Sequence, residues 1–285
     1  MGIRRWVTAL SLGAAVVVGG CGSSQPATPT VNAVARAADV TAGVPGYRIA
    51  ATMSFGAAGN GAQATMSGVM DRADQTGALT TTESVQGHTL KIREEFSHLT
   101  IYMQAAGLPG VGKLTGGKPW LKLDMSKALG SMGLGSLGTT SSDPSQFVDY
   151  LRAVGARTTR VGTQTIRGVA TTHYRVVVDL SHYANLLPAA QRPAATHAIA
   201  TLESALGSDQ LPMDVWIDAH KLVRRLSLAY DECVENQKVG LNMTMDLYDY
   251  GPQTVPSTPA ASQTYDLTPL LTKSLKNVKL GCSST

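Results

Sequence analysis

The alternation of apolar and polar residues along most of the chain limits its fold more than any other feature. A period of two places alternate side chains on one face of a β-strand, and short polar or Gly-rich links join consecutive segments. The pattern therefore predicts antiparallel strands that share one apolar face. Such segments occur at 47–55, 64–70, 90–96, 99–103, 120–125, 157–166, 172–180, 213–218, 222–230 and 241–247.

Helical patterns are fewer. Residues 32–40 have a helix-forming composition, 189–206 form a long helical candidate that ends at Gly207, and 145–155 follow Asp143 as N-cap. An antiparallel sheet with one apolar face must cover that face. We therefore expect an α+β fold, a curved antiparallel half-barrel of about ten or eleven strands around two or three helices. Because so few helices cannot fill the concavity of a large sheet, we also expect a hydrophobic cavity.

The N-terminus has the layout of an export signal. Arg4 and Arg5 precede a short apolar run that is too short for a comfortable membrane span. Residues 18–21 then resemble the lipobox of bacterial lipoproteins, which implies a thioether-linked diacylglycerol on Cys21 as the first mature residue. The alternative is an ordinary secreted protein that is cut nearby. We expect 1–20 to be the signal peptide, 21–30 a flexible membrane tether and 31–285 a single domain.

Lipidation of Cys21 leaves two of the three cysteines, Cys233 and Cys282. An even pair in an oxidising compartment favours a disulfide. The bond would join the C-terminal tail to a hairpin tip and close a loop of about fifty residues. In the chain-entropy model, such a bond contributes about 3–4 kcal/mol. The alternative is two free thiols.

Charge and composition exclude some partners. Only 15% of residues are charged, and the formal net charge of +4 includes Arg4 and Arg5 of the signal. The sequence has no cluster of basic residues of the kind that binds a phosphate backbone, so we expect no nucleic acid partner. A weakly charged chain rich in Met, Leu and Val favours a protein that contacts lipid over one that binds nucleic acid.

Two glycine-rich segments look like nucleotide-binding loops. Residues 107–114 read GLPGVGKL, but Leu114 stands where a phosphate loop needs Ser or Thr, and the chain continues into a strand. Residues 133–138 match G-x-G-x-x-G without a preceding strand. We therefore expect no nucleotide, and interpret both segments as an apolar flap that gates a pocket. Leu108, Val111 and Leu114 would cap its opening.

Catalytic and metal motifs have little support in the sequence. The six histidines are scattered singly, and H-E-x-x-H, C-x-x-C, G-x-S-x-G and S-x-x-K do not occur. The local candidates for hydrolysis are His173 with Asp179 and His182 with Ser181. Both pairs look incidental, so we expect neither an enzyme nor a cofactor nor a metal.

Several segments together resemble actinobacterial lipoproteins of the LppX/LprG type, in the LolA-like superfamily. The likeness covers about residues 40–255. It implies a large antiparallel sheet wrapped around helices and enclosing a hydrophobic cavity for acylated lipids. The segments are the lipobox at Cys21, 117–124, 168–179, 215–218, 222–226 and 245–251.

The leading hypothesis is a lipoprotein, anchored to the outer face of the membrane, that binds acylated lipid for carriage within or across the envelope. We expect a monomer. The alternative is an envelope scaffold or sensor that acts through protein contacts. The candidate lining residues are Leu108, Val111, Leu114, Met132, Leu134, Leu137, Tyr174, Val176, Val178, Met213, Val215, Met243 and Met245.

Overall fold

The computed structural model describes residues 30–56, 62–85, 88–104, 111–131, 146–187, 189, 192–234 and 237–275. Within these ranges, twelve strands form one sheet. The strands are β1 (Gly46–Gly56), β2 (Ala62–Asp71), β3 (Thr76–Val85), β4 (His88–Ser97), β5 (Thr100–Gln104), β6 (Trp120–Asp124), β7 (Val154–Ile166), β8 (Val169–Asp179), β9 (Gln210–Asp218), β10 (Val223–Val234), β11 (Gln237–Tyr248) and β12 (Thr264–Asp266).

Two antiparallel meanders make up this open sheet, in the order β12-β6-β5-β4-β3-β2-β1-β11-β10-β9-β8-β7. One meander runs from β1 to β6, and the other runs from β7 to β11. They meet where β1 pairs with β11, which are far apart in sequence. The short β12 adds to the β6 edge in parallel orientation. The expected α+β fold with a large curved antiparallel sheet is confirmed.

Seven α-helices lie in the described ranges, with 3₁₀ turns at Leu151–Ala153 and Ala261–Gln263. Helix α1 packs on β7, β9 and β10, and α6 packs on β10, whereas α3 and α7 pack near the β6 edge. Strands β2, β3 and β4 lie between these two groups of helices. The helices are α1 (Thr30–Ala42), α2 (Val111–Leu114), α3 (Met125–Ser131), α4 (Gln146–Tyr150), α5 (Leu180–Leu186), α6 (Arg192–Leu206) and α7 (Thr268–Leu275).

The core lies between the helices and one face of the sheet, which we call the inner face. Side chains at alternate strand positions, such as Tyr47, Ile49 and Leu247, are fully buried there. They pack with Val34 of α1 and Ile199 of α6 in one cluster. The apolar alternation in the sequence thus marks the inner face.

Some sequence expectations about single elements were wrong. Strand β3 was not predicted, because its inner positions read Leu79, Thr81 and Glu83 and show no apolar alternation. Helix α5 was also missed, since its residues continue directly from β8. Helix α3 was likewise missed, because this short segment has no clear helical period in the sequence.

The C-terminal β12 and α7 were not predicted, and the helix expected at 145–155 is shorter than the sequence indicated. It ends at Tyr150, a 3₁₀ turn follows, and β7 begins at Val154. The sheet therefore has more strands than the expected ten or eleven, and more helices surround it than the expected two or three. Short elements at sheet edges give little periodic signal, because each spans only one or two turns or a few strand positions.

Candidate ligand-binding site

Cross-strand pairing continues the apolar inner face over many neighbouring strands. One row joins Tyr174, Val215, Leu226, Met245, Ala51 and Met66 across β8 to β2. A parallel row joins Val176, Met213, Leu228, Met243, Met53 and Ala64. Because directly opposed residues point to the same face of a sheet, these rows form one continuous apolar surface.

The structure brings together the seven strand residues proposed from sequence to line a cavity. All lie on the inner face, and six are buried, with Tyr174 half-buried against the same core cluster. Such burial is compatible with core packing and with the wall of a closed cavity. These residues are Tyr174, Val176, Val178, Met213, Val215, Met243 and Met245.

The remaining predicted residues lie in other places. Val111 and Leu114 belong to α2, where Val111 is half-buried and Leu114 is 45% exposed. Cys233 lies near the end of β10, opposite Lys238 of β11. The other predicted positions lie outside the described residues. They are Leu108, Met132, Leu134, Leu137, Cys21 and Cys282.

A carboxyl group on the inner face is a feature that the sequence analysis missed. Glu94 of β4 pairs with Leu79 on one side and with Met103 on the other. Its Oε2 accepts a hydrogen bond of 2.9 Å from the hydroxyl of Thr81. Alternation within 90–96 places Glu94 on the same face as Ile92, and this signal could have revealed it.

Burial raises the pKa of the Glu94 carboxyl. The hydrogen bond from Thr81 acts in the opposite direction, and the negative charge of Glu83 raises the pKa further. A carboxyl group is a hydrogen-bond donor when protonated and an acceptor when ionised. The inner face therefore offers apolar surface together with polar groups, Glu94 among them, that can form hydrogen bonds.

The local pairs considered for hydrolysis do not form a catalytic arrangement. His173 Nε2 lies 2.7 Å from Asp214 Oδ1, and its ring stacks on Trp216 with centroids 4.2 Å apart. Asp179 instead accepts a hydrogen bond from the backbone N–H of His182 and caps α5. Within the described ranges, no hydroxyl is hydrogen-bonded to the imidazole of His173.

The described residues contain no group of three or more His, Cys, Asp or Glu side chains that could hold a metal ion. In the same part of the chain, every helix is too short or too polar to cross a bilayer.

No family model matches the chain. An uncharacterized 31.2 kDa protein of Streptomyces griseus, encoded in the rplA–rplJ intergenic region, is 30% identical over 166 residues. The match covers 55% of this chain and 51% of that protein. The chain therefore spans about half the length of the curated relative that it matches.

Solved structures that are similar to the chain at low identity include LppX and LprF. Lipoprotein LppX of Mycobacterium tuberculosis has a TM-score of 0.48 at 14% identity, covering 80% of this chain and 100% of LppX. LprF of Mycobacterium bovis has a TM-score of 0.41 at 14% identity, covering 82% of this chain and 99% of LprF. The similar structures thus include the type of lipoprotein that the sequence motifs resemble.

Proposed function

We propose that this protein is a membrane-anchored lipoprotein that binds acylated lipid against the apolar inner face of its sheet and carries it within or across the cell envelope. The observation that carries the proposal is the continuity of that face from β8 to β2, beyond the strands that α1 and α6 contact. Each buried CH₂ of an acyl chain contributes about 0.8 kcal/mol. The function needs no catalytic group and no cofactor.

Half-buried apolar side chains mark the part of the inner face where an acyl chain has room to bind. Met66, Ile92 and Ile101 are only half-buried, in contrast with the fully buried Val215 and Met245. They lie on β2, β4 and β5; β2 and β4 lie between the two groups of helices, and β5 borders α3. We place the acyl chain along these strands, with Glu94 next to a polar group of the lipid.

The anchor is proposed from the sequence. The lipobox cysteine Cys21 lies nine residues before Thr30, where α1 begins, and the Ser, Pro and Thr residues between them favour a solvated tether. A diacylglycerol on Cys21 would hold the domain at the outer face of the membrane. Such a position suits a protein that exchanges lipid with that membrane.

Purification of the full chain from its native host, followed by lipid extraction and mass spectrometry, tests the proposal. We expect an acylated lipid to copurify in near-stoichiometric amount, and the delipidated protein to bind a fluorescent acyl probe saturably. The Cys21→Ser variant should retain probe binding but lose its association with membranes. Absence of extractable lipid together with absence of probe uptake would refute lipid binding.

A scaffold or sensor role is the second candidate, and the packing of the core favours it. Val176, Val215 and Met245 have no exposed surface, as expected of side chains that fill a core. In that case the protein would act through contacts with another envelope protein. The same extraction distinguishes the two, because a filled core takes up no acyl probe.

A further inference from the structure

The outer face of the sheet, opposite the apolar face, carries a row of hydroxyl side chains. Successive partners in the row are directly opposed on neighbouring strands, from β10 through β11, β1 and β2 to β3. Lys91 of β4 follows as the next partner. The row consists of Ser227, Thr244, Thr52, Thr65 and Thr82.

This row forms the floor of a depression that we call the hydroxyl trough. Two adjoining concavities of about 460 and 440 Å³ make up the trough, and they share Thr52, Thr65 and Thr244. Small side chains line the bottom of the trough, and the long side chains of Arg225 and Lys91 form part of its sides. The volume is in the range typical of sites for small molecules.

Most hydroxyls of the trough are free to bind a ligand. Ser227 donates to the carbonyl oxygen of Met243 and lies 3.1 Å from the hydroxyl of Thr244. Among the described residues, the hydroxyls of Thr52, Thr65 and Thr82 have no hydrogen-bond partner. Each of them can donate one hydrogen bond and accept others.

Cationic groups outnumber carboxylates along the trough. The guanidinium of Arg225 binds Asp246 through Nε at 2.5 Å and Nη2 at 3.0 Å, and Arg167 Nε binds the same carboxylate at 3.0 Å. Lys91 has no carboxylate partner in the part of the chain that the structure describes. Three cationic side chains therefore lie beside one carboxylate, and the excess positive charge favours an anionic ligand.

Arg167 lies in a turn, and contacts with Asp246 and Tyr248 hold its side chain beside the trough. Arg167 and Gly168 form the two-residue turn between β7 and β8, with φ of 47° and 80°. Positive φ at both positions is the geometry that a two-residue hairpin turn requires. Here the guanidinium lies 4.0 Å from the centre of the Tyr248 ring while it binds Asp246.

We propose that the hydroxyl trough binds an acidic oligosaccharide. Sugar hydroxyls both donate and accept, as threonine hydroxyls do, and neighbouring strands place one such group about every 4.8 Å, on the scale of one sugar ring. A carboxylate or phosphate substituent on the chain would lie beside Arg167 and Arg225. The sheet separates this ligand from the apolar inner face, so the trough is a second site, independent of acyl binding.

Calorimetric titration of the full chain tests the proposal with two sugar hexamers of equal length, galacturonate hexamer and maltohexaose, and with inorganic phosphate. We expect the acidic hexamer to bind more tightly than the neutral one, and phosphate alone to give no saturable binding. Arg167→Gln should weaken the acidic hexamer about 10- to 100-fold. The double variant Thr65→Val with Thr82→Val should weaken it about tenfold.

Matched controls remove the same groups elsewhere. Arg36→Gln removes an exposed cation from α1, which packs on the inner face, and Thr163→Val removes an exposed hydroxyl from β7. Both should bind the hexamer as wild type does, and thermal unfolding should show that all variants are folded. Three outcomes would each overturn the proposal. They are equal effects in the control and trough variants, absence of binding by the acidic hexamer, and competition by phosphate alone. Uptake of an acyl probe should be unchanged in the trough variants, so failure of either site can be recognised separately.

Discussion

Glu94 is a carboxyl group among apolar neighbours on the inner face, and its surroundings determine its protonation. Burial raises its pKa above the ordinary value of 4.5, against the effect of the hydrogen bond from Thr81. The native state therefore retains the proton at a pH where the unfolded chain has lost it. Stability contributed by protonated Glu94 is present at low pH and is lost as pH rises from the ordinary pKa through the raised one.

The Glu94→Gln variant should be more stable than wild type at neutral pH. Its neutral amide oxygen still accepts the hydrogen bond from Thr81, and no buried charge remains. The gain should diminish as pH falls from neutral toward 4.5, because the native carboxyl increasingly binds its proton. Urea unfolding across this pH range measures the difference. The exposed Asp74→Asn variant is the control, and its free energy of unfolding should be within about 0.5 kcal/mol of the wild-type value. A stability difference between Glu94→Gln and wild type that does not vary with pH would contradict the raised pKa of Glu94.

At the scale of elements, side chains from outside the sheet hold the start of β10. The hydroxyl of Thr41, near the end of α1, accepts a hydrogen bond of 2.9 Å from the backbone N–H of Val223. The hydroxyl of Tyr250 donates to the carbonyl oxygen of the same residue. The pairing register between β9 and β10 shifts at Val223. Side chains therefore bind the backbone N–H and carbonyl groups of this residue in place of the neighbouring strand. Helix α1 and β10 are thereby joined through a buried polar contact.

We expect Thr41→Val to lower the free energy of unfolding by about 1–3 kcal/mol, because it leaves the buried N–H of Val223 without its acceptor. Thr41→Ser keeps the hydroxyl and should cost less. Chemical denaturation measures the stability, and hydrogen exchange at the Val223 amide should become faster in the valine variant alone. Wild-type stability and exchange in Thr41→Val would show that the contact contributes nothing.

At the scale of the whole molecule, one sheet presents two chemically different faces. Alternation along β4 places Ile92 on the apolar inner face and the adjacent Lys91 in the hydroxyl trough. Neighbouring residues can thus serve separate ligands, since successive side chains in a strand point to opposite faces. The two proposed sites lie on opposite faces of one sheet.

Substitutions at these two adjacent positions should have opposite effects. Ile92→Gln places a polar group on the inner face and should weaken uptake of an acyl probe about tenfold, with little change in binding of acidic hexamer. Lys91→Gln should weaken the hexamer about tenfold and leave the probe unaffected. Fluorescence titration and calorimetry on both variants provide the measurement. Loss of both activities in either variant would indicate a general folding defect instead.

The sequence by itself determined which residues form most strands and which side of each strand is apolar. This information is local, because the backbone fixes a period of two and a side chain's face follows from its position. It also determined α1 and α6, the latter ending at Gly207 with φ of 70°. The lipobox at Cys21 and the proposed disulfide also come from sequence and stay predictions.

Only the tertiary structure decided which strands are neighbours. The pairing of β1 with β11 aligns Thr52 with Thr244, and the pairing of β2 with β3 aligns Thr65 with Thr82. Strand β3 could not be recognised from the sequence, because the polar residues Thr81 and Glu83 occupy inner positions and interrupt the apolar alternation. His173 likewise has Asp214 as its partner, on a strand that lies beside it in space. Such contacts depend on strand order and register, which are set by long-range packing and are not encoded in any local period.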